Sequence, residues 1–156
     1  MLIKILTFKK TFDIIYAMEE KIEKLFLTEY KKTDVKMLNP LVLAFVGDTF
    51  FSFYIKTKKL DLFKSKVNAL NSNSCKLVNA HSQREFLFRI IDTLNEEEKD
   101  IVMRARNTNI HSHAKNFSIE EYRHATAFEA LLGYLYLTNN YVRLNEILDL
   151  CFKENN

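Results

Sequence analysis

Apolar residues recur along most of this chain at the three-and-four spacing of helices rather than in the strict alternation of half-buried strands. The run Leu41-Val-Leu-Ala-Phe-Val-Gly-Asp-Thr-Phe-Phe51 follows directly on Asn39-Pro40. Asparagine caps helices and proline fits their first position, so the spacing predicts a helix over about 40–58. Lys56, Lys58 and Lys59 suit its negative C-terminal end. A second helix is expected over about 60–70, then a polar break at Asn71-Ser-Asn-Ser74, with helical periodicity resuming over 75–91 and weakening near 79–82. Asn95-Glu-Glu-Glu98 forms a capping box that opens another helix, closed by Arg104 and Arg106. The stretch Asn107-Thr-Asn-Ile-His-Ser-His-Ala-Lys-Asn116 is polar and aperiodic, hence a loop. Ser118-Ile-Glu-Glu121 is a second capping box, starting a long helix to about 138, and an amphipathic helix over about 141–153 ends the chain. No internal repeat or low-complexity tract interrupts this order.

Composition sharpens the fold class. One proline and two glycines in 156 residues are too few for the turns of a sheet protein, so an all-α fold is predicted. With 47% hydrophobic residues the chain can bury the core of one domain. A net charge of +3 permits nucleic-acid binding without demanding it. No window is apolar for the roughly 18 residues that a membrane span requires. Cys75 and Cys151 read as free thiols of a reducing cytoplasm. The N-terminus makes a poor signal peptide, because Lys4, Lys9, Lys10 and Asp13 interrupt its apolar stretch. Residues 1–36 are therefore read as a peripheral extension, either an amphipathic leader or sequence upstream of a start at Met18 or Met37. The domain is placed at 37–156.

Both glycines lie inside apolar helical runs beside a carboxylate. Gly47 precedes Asp48, and Gly133 follows Glu129 by one turn. A helix-interior glycine costs about 1 kcal/mol relative to alanine, and an acid on an apolar face costs more unless something compensates it. The repetition predicts two closely packed helices whose carboxylates share one site, with a divalent cation as the natural third party. The plain alternative is a pair of tertiary ion pairs, or carboxylates at the solvent edge of an apolar stripe. A basic complement is available in Arg104, Arg106, Lys115 and Arg123, with His111, His113 and His124 nearby. The plain alternative there is a solvated surface loop. His111-x-His113 lacks a third ligand for zinc.

These segments resemble the ribonuclease III catalytic domain. Leu41-Val-Leu-Ala-Phe-Val-Gly-Asp48 is similar to its signature helix, and Thr126-Ala-Phe-Glu-Ala-Leu-Leu-Gly-Tyr-Leu-Tyr-Leu137 to its second catalytic helix. The resemblance is strongest to Mini-ribonuclease III, the branch without a double-stranded-RNA-binding domain. It runs from Asn39 to Leu148 and takes in Arg104-Ala-Arg-Asn107, Lys115-Asn116 and Tyr122-Arg-His-Ala-Thr-Ala-Phe-Glu129. Full-length ribonuclease III carries further acids where this chain has Leu41, Ala44 and Thr126, a reduction shared by the Mini branch. Ser52, His81, Ala105, Asn109 and Ala114 depart from the Mini pattern itself, which bears on RNA affinity and loop shape more than on chemistry.

The resemblance implies an all-helical homodimer that cleaves double-stranded RNA with Mg2+, Mn2+ being a substitute, and matures 23S ribosomal RNA precursor in the cytoplasm, with a ribosomal protein as a further partner. It implies Asp48 and Glu129 as catalytic metal ligands. Arg104, Arg106, Asn107, Lys115 and Arg123 become the expected RNA contacts, and Thr126 the expected holder of an outer water. The rival readings are a catalytically dead RNA-binding or ribosome-associated protein of the same fold, and a helical dimerisation scaffold.

Overall fold

The computed structural model describes residues 27–62, 64–109 and 118–153, and among them no strand occurs. Seven α-helices follow in chain order: α1 Lys32–Met37, α2 Pro40–Tyr54, α3 Val67–Val78, α4 Ala80–Ile90, α5 Glu96–Arg106, α6 Ile119–Leu137 and α7 Tyr141–Phe152. The all-α expectation holds.

Helix starts are set by the local chemistry that the sequence displays. Asn39 accepts a hydrogen bond from the Leu41 backbone N–H at 2.9 Å, with Pro40 just inside α2. Both capping boxes are complete. Glu98 N–H donates to Asn95 while Glu98 accepts from the Asn95 N–H, and Ser118 and Glu121 repeat the pattern at α6. The last turn of α2 widens into a π-helical segment, Ile55–Lys59, that carries the expected lysines.

The polar break expected at Asn71–Ser74 does not exist. Helix α3 runs through it, with Ser74 buried against the fold. Asparagine and serine cost only tenths of a kcal/mol each in a helix, so tertiary packing overrides them. The true boundary is Asn79, whose side chain serves two helices. Its Nδ2 donates to the Cys75 and Lys76 carbonyls at the end of α3, and its carbonyl oxygen accepts from the Ser82 N–H at the start of α4.

Helix α6 is the axis of the fold. Its buried positions surround the helix (Thr126, Ala127, Phe128, Ala130, Leu131 and their neighbours), as expected for a helix enclosed by others. Phe128 meets Phe51 of α2 edge-on at 5.2 Å, and Phe51 meets Phe86 of α4 at 5.9 Å. One compact unit begins at Lys31. Helix α1 belongs to it because Val35 is fully buried. Cys75 and Cys151 are both free, as expected.

Candidate active site where two helices cross

Helices α2 and α6 cross with almost no side chain between their backbones. A Cβ added to Gly47 would lie 1.8 Å from the Glu129 carbonyl oxygen, and one added to Gly133 would lie 2.0 Å from that of Leu43. No side-chain adjustment relieves an overlap with backbone, so only glycine fits at either place. The two glycines are the contact, and each brings its neighbouring acid with it.

Asp48 and Glu129 consequently feel each other. Burial pushes the Glu129 carboxyl up to about 8, the Asp48 charge adds to the rise, and the Gln83 amide opposes it. Asp48 is exposed as a residue, yet partial burial still raises its carboxyl above the usual range, with Lys56 pulling the other way. Among the described residues no lysine, arginine or histidine forms an ion pair with either acid, as the ion pairs all involve other carboxylates. Among the described residues, ion pairs therefore account for neither acid. Two mutually repelling carboxylates, one half-buried and one open to solvent, make an all-oxygen donor set that suits a hard divalent cation. No group of three or more metal-ligating side chains occurs among the described residues, so the acids stand as a pair. His111 and His113 lie outside them.

Thr126, expected to hold an outer water, is buried one turn before Glu129. Leu41 is exposed and Ala44 buried, so the two signature-helix positions lacking acids differ in their access to solvent.

The basic residues divide. Arg106, Asn107 and Arg123 converge on one cavity of about 450 Å3, together with Ile119, Glu120 and His124. The end of α5 and the first turns of α6 supply it. His124 donates from Nδ1 to the Glu120 carbonyl at 2.8 Å, which leaves Nε2 as the ring's remaining polar atom. Arg104, expected among the RNA contacts, does something else. Its guanidinium donates to the carbonyls of Lys36 at 2.7 Å and Leu38 at 3.0 Å, pinning the segment between α1 and α2 onto α5. A fork already holding two carbonyls has little left for phosphate. Lys115 lies outside the described residues. A larger cavity of about 710 Å3 borders α4 and α7 but includes neither acid. Volume therefore does not mark the site here; chemistry does.

Gln83 escaped the sequence reading. It is 1% exposed on α4, and its Nε2 has no hydrogen-bond partner among the described residues. The amide comes near enough to Glu129 to favour the ionised carboxylate without reaching good hydrogen-bond geometry. A signal was available: Gln83 occupies the apolar stripe continued by Phe86, Leu87 and Ile90, at offsets of a buried helix face.

The ribonuclease III domain family matches residues 41–140, a span that contains both helices and both acids. The Mini-ribonuclease 3 of a Thermoanaerobacter species is 49% identical over 119 residues, covering 76% of this chain and 84% of that one. The Mini-ribonuclease 3 of Clostridium tetani is 44% identical over 78% of this chain and 82% of that protein. A crystal structure of a Fusobacterium nucleatum protein superposes with a TM-score of 0.68 at 33% identity, covering 74% of this chain and 94% of that one. With its glycine-crossed helices and the pair of acids beside them, the chain belongs to the ribonuclease III domain family and is an endoribonuclease of the Mini-ribonuclease 3 type.

Proposed function

We propose that the protein is a magnesium-dependent endoribonuclease that cuts double-stranded RNA, with 23S ribosomal RNA precursor as its cytoplasmic substrate. The observation that carries this reading is the acid pair: the glycine contact brings Asp48 and Glu129 together, and among the described residues neither forms an ion pair. Magnesium at these carboxylates would supply an activated water and offset charge growing on the phosphate oxygens. Asp48 and Glu129 would hold the ion, and Thr126, one turn before Glu129, would orient a water beyond it.

Arg106, Asn107 and Arg123 take the backbone. Their cavity offers guanidinium forks and an amide to phosphates and 2′-hydroxyls, which suits a duplex recognised by shape. Lys115, whose place lies outside the described residues, is assigned by sequence to the same contact. Phosphate contacts of this kind give an affinity with a strong salt dependence.

A second copy of the chain belongs to the reading. The side of α2 away from the core exposes Leu41, Val42, Phe45 and Phe53, and Phe45 is 75% accessible in the single chain. An apolar row on the helix that carries Asp48 suits a homodimer with two sites facing one duplex. A ribosomal protein partner, and Mn2+ in place of Mg2+, extend the same reading.

The test is cleavage of a duplex RNA with Mg2+ present and absent, for the native chain and for Asp48→Asn. Cleavage that needs Mg2+ and vanishes in the variant supports the reading. Duplex binding without any cleavage would instead favour the inactive RNA-binding alternative.

A further inference from the structure

The geometry points to Gln83 as a positioning residue for the acid pair: its buried amide donates to the Glu129 carboxylate and fixes the orientation in which Glu129 and Asp48 take a divalent cation. This rests on the metal-dependent reading above and adds a residue to it.

Three observations converge. Gln83 is 1% exposed on a helix whose other buried residues, Phe86, Leu87 and Ile90, are wholly apolar. An aliphatic side chain would fill that place at lower cost, since burying an amide without full hydrogen bonding costs about 1–3 kcal/mol. The Nε2 donor has no partner, in a fold where the comparable amide of Asn79 bonds at both ends. Lastly, α4 packs against α6, and the orphan donor lies near the Glu129 carboxyl. A buried donor without a partner beside a carboxyl that can accept makes a matched pair. A purely packing role for Gln83 would explain neither its polarity nor its placement. Carboxylates that ligate metals are commonly held by such a partner, whose loss weakens metal binding by about 10–100-fold.

The assignment is tested on the full chain by measuring Mn2+ binding directly, through the paramagnetic signal of the free ion, for the native protein, Gln83→Leu, Gln83→Met and Asp48→Asn. Melting temperatures and the KM for duplex RNA are recorded alongside. The expected result is that Gln83→Leu melts at or above the native temperature and binds Mn2+ about 10–100-fold more weakly. It then needs more Mg2+ for cleavage, while KM for RNA is unchanged. Should Gln83→Leu melt lower, Gln83→Met, closer in length to glutamine, must show the same loss of Mn2+ affinity. Native Mn2+ affinity in a folded Gln83 variant overturns the assignment and leaves the site standing. Equal Mn2+ binding by the native chain and Asp48→Asn overturns the site itself, and the Gln83 role with it.

Discussion

Two glutamates on neighbouring helices are treated differently by the same fold. Glu98 of α5 is 1% exposed and fully provided for. Arg143 of α7 donates to both of its oxygens, at 2.9 and 3.0 Å, and the Asn95 backbone N–H adds a third bond. That guanidinium is itself satisfied by Glu146 and the Thr93 carbonyl, so the network closes on itself. Glu129 of α6 is half-buried with another acid beside it, an amide that falls short of a bond and, among the described residues, no arginine paired with it. A shielded glutamate left without such a partner fits the cation-binding role proposed for Glu129. Where the charge is matched within the chain, the role is stability.

The largest predicted effect separates these roles directly. Glu129→Gln should lower cleavage of duplex RNA by roughly a thousandfold or more, since it removes a cation ligand, while the variant melts no lower than the native chain. Glu98→Gln should do the reverse. It removes the buried charge that Arg143 grips and leaves Glu146 and the Thr93 carbonyl as that guanidinium's partners, for a loss of about 3 kcal/mol measurable by urea unfolding, with the cation affinity of the folded fraction unchanged.

Next comes the contact that creates the site. Gly47→Ala forces α2 away from α6, at a cost of about 3 kcal/mol, and should lower the melting temperature by roughly 10 °C. Cleavage should fall beyond the loss of folded protein, because the two acids separate as well.

A smaller effect follows from protonation. In the fold Glu129 keeps its proton up to about 8, against an ordinary 4.5. Between those values the folded state binds the extra proton, so with metal chelated the native protein loses stability as pH rises through that window. Glu129→Gln should show a flatter profile over the same range, and Mg2+ should flatten the native one; thermal melts with and without chelator decide it. Smallest of all, Arg123→Ala should reduce the slope of log affinity against log salt by about 1, uniformly across duplex sequences. An unchanged slope would remove Arg123 from the phosphate contacts.

Much of the site was legible because its oddities are local. Glycine beside an acid inside an apolar run violates two preferences at once, and it does so twice. The crossing of α2 and α6 is the one arrangement that explains both, and the glycine contacts match it. The role of Gln83 was less visible, because a lone polar residue in an apolar stripe does not say which neighbour it faces.

The sequence by itself determined the all-helical class, the starts of α2, α5 and α6, and which two acids stand apart from the rest. Caps and periodicity act over a few residues, so the information lies within each segment. Tertiary structure alone decided that α3 continues through Asn71–Ser74, that Arg106, Asn107 and Arg123 share a cavity, and that Arg104 is occupied elsewhere. Arg104 bonds to carbonyls 66 and 68 positions away in the chain. A long side chain with several donors takes the acceptors that packing brings within reach, and no spacing along the chain encodes which those will be.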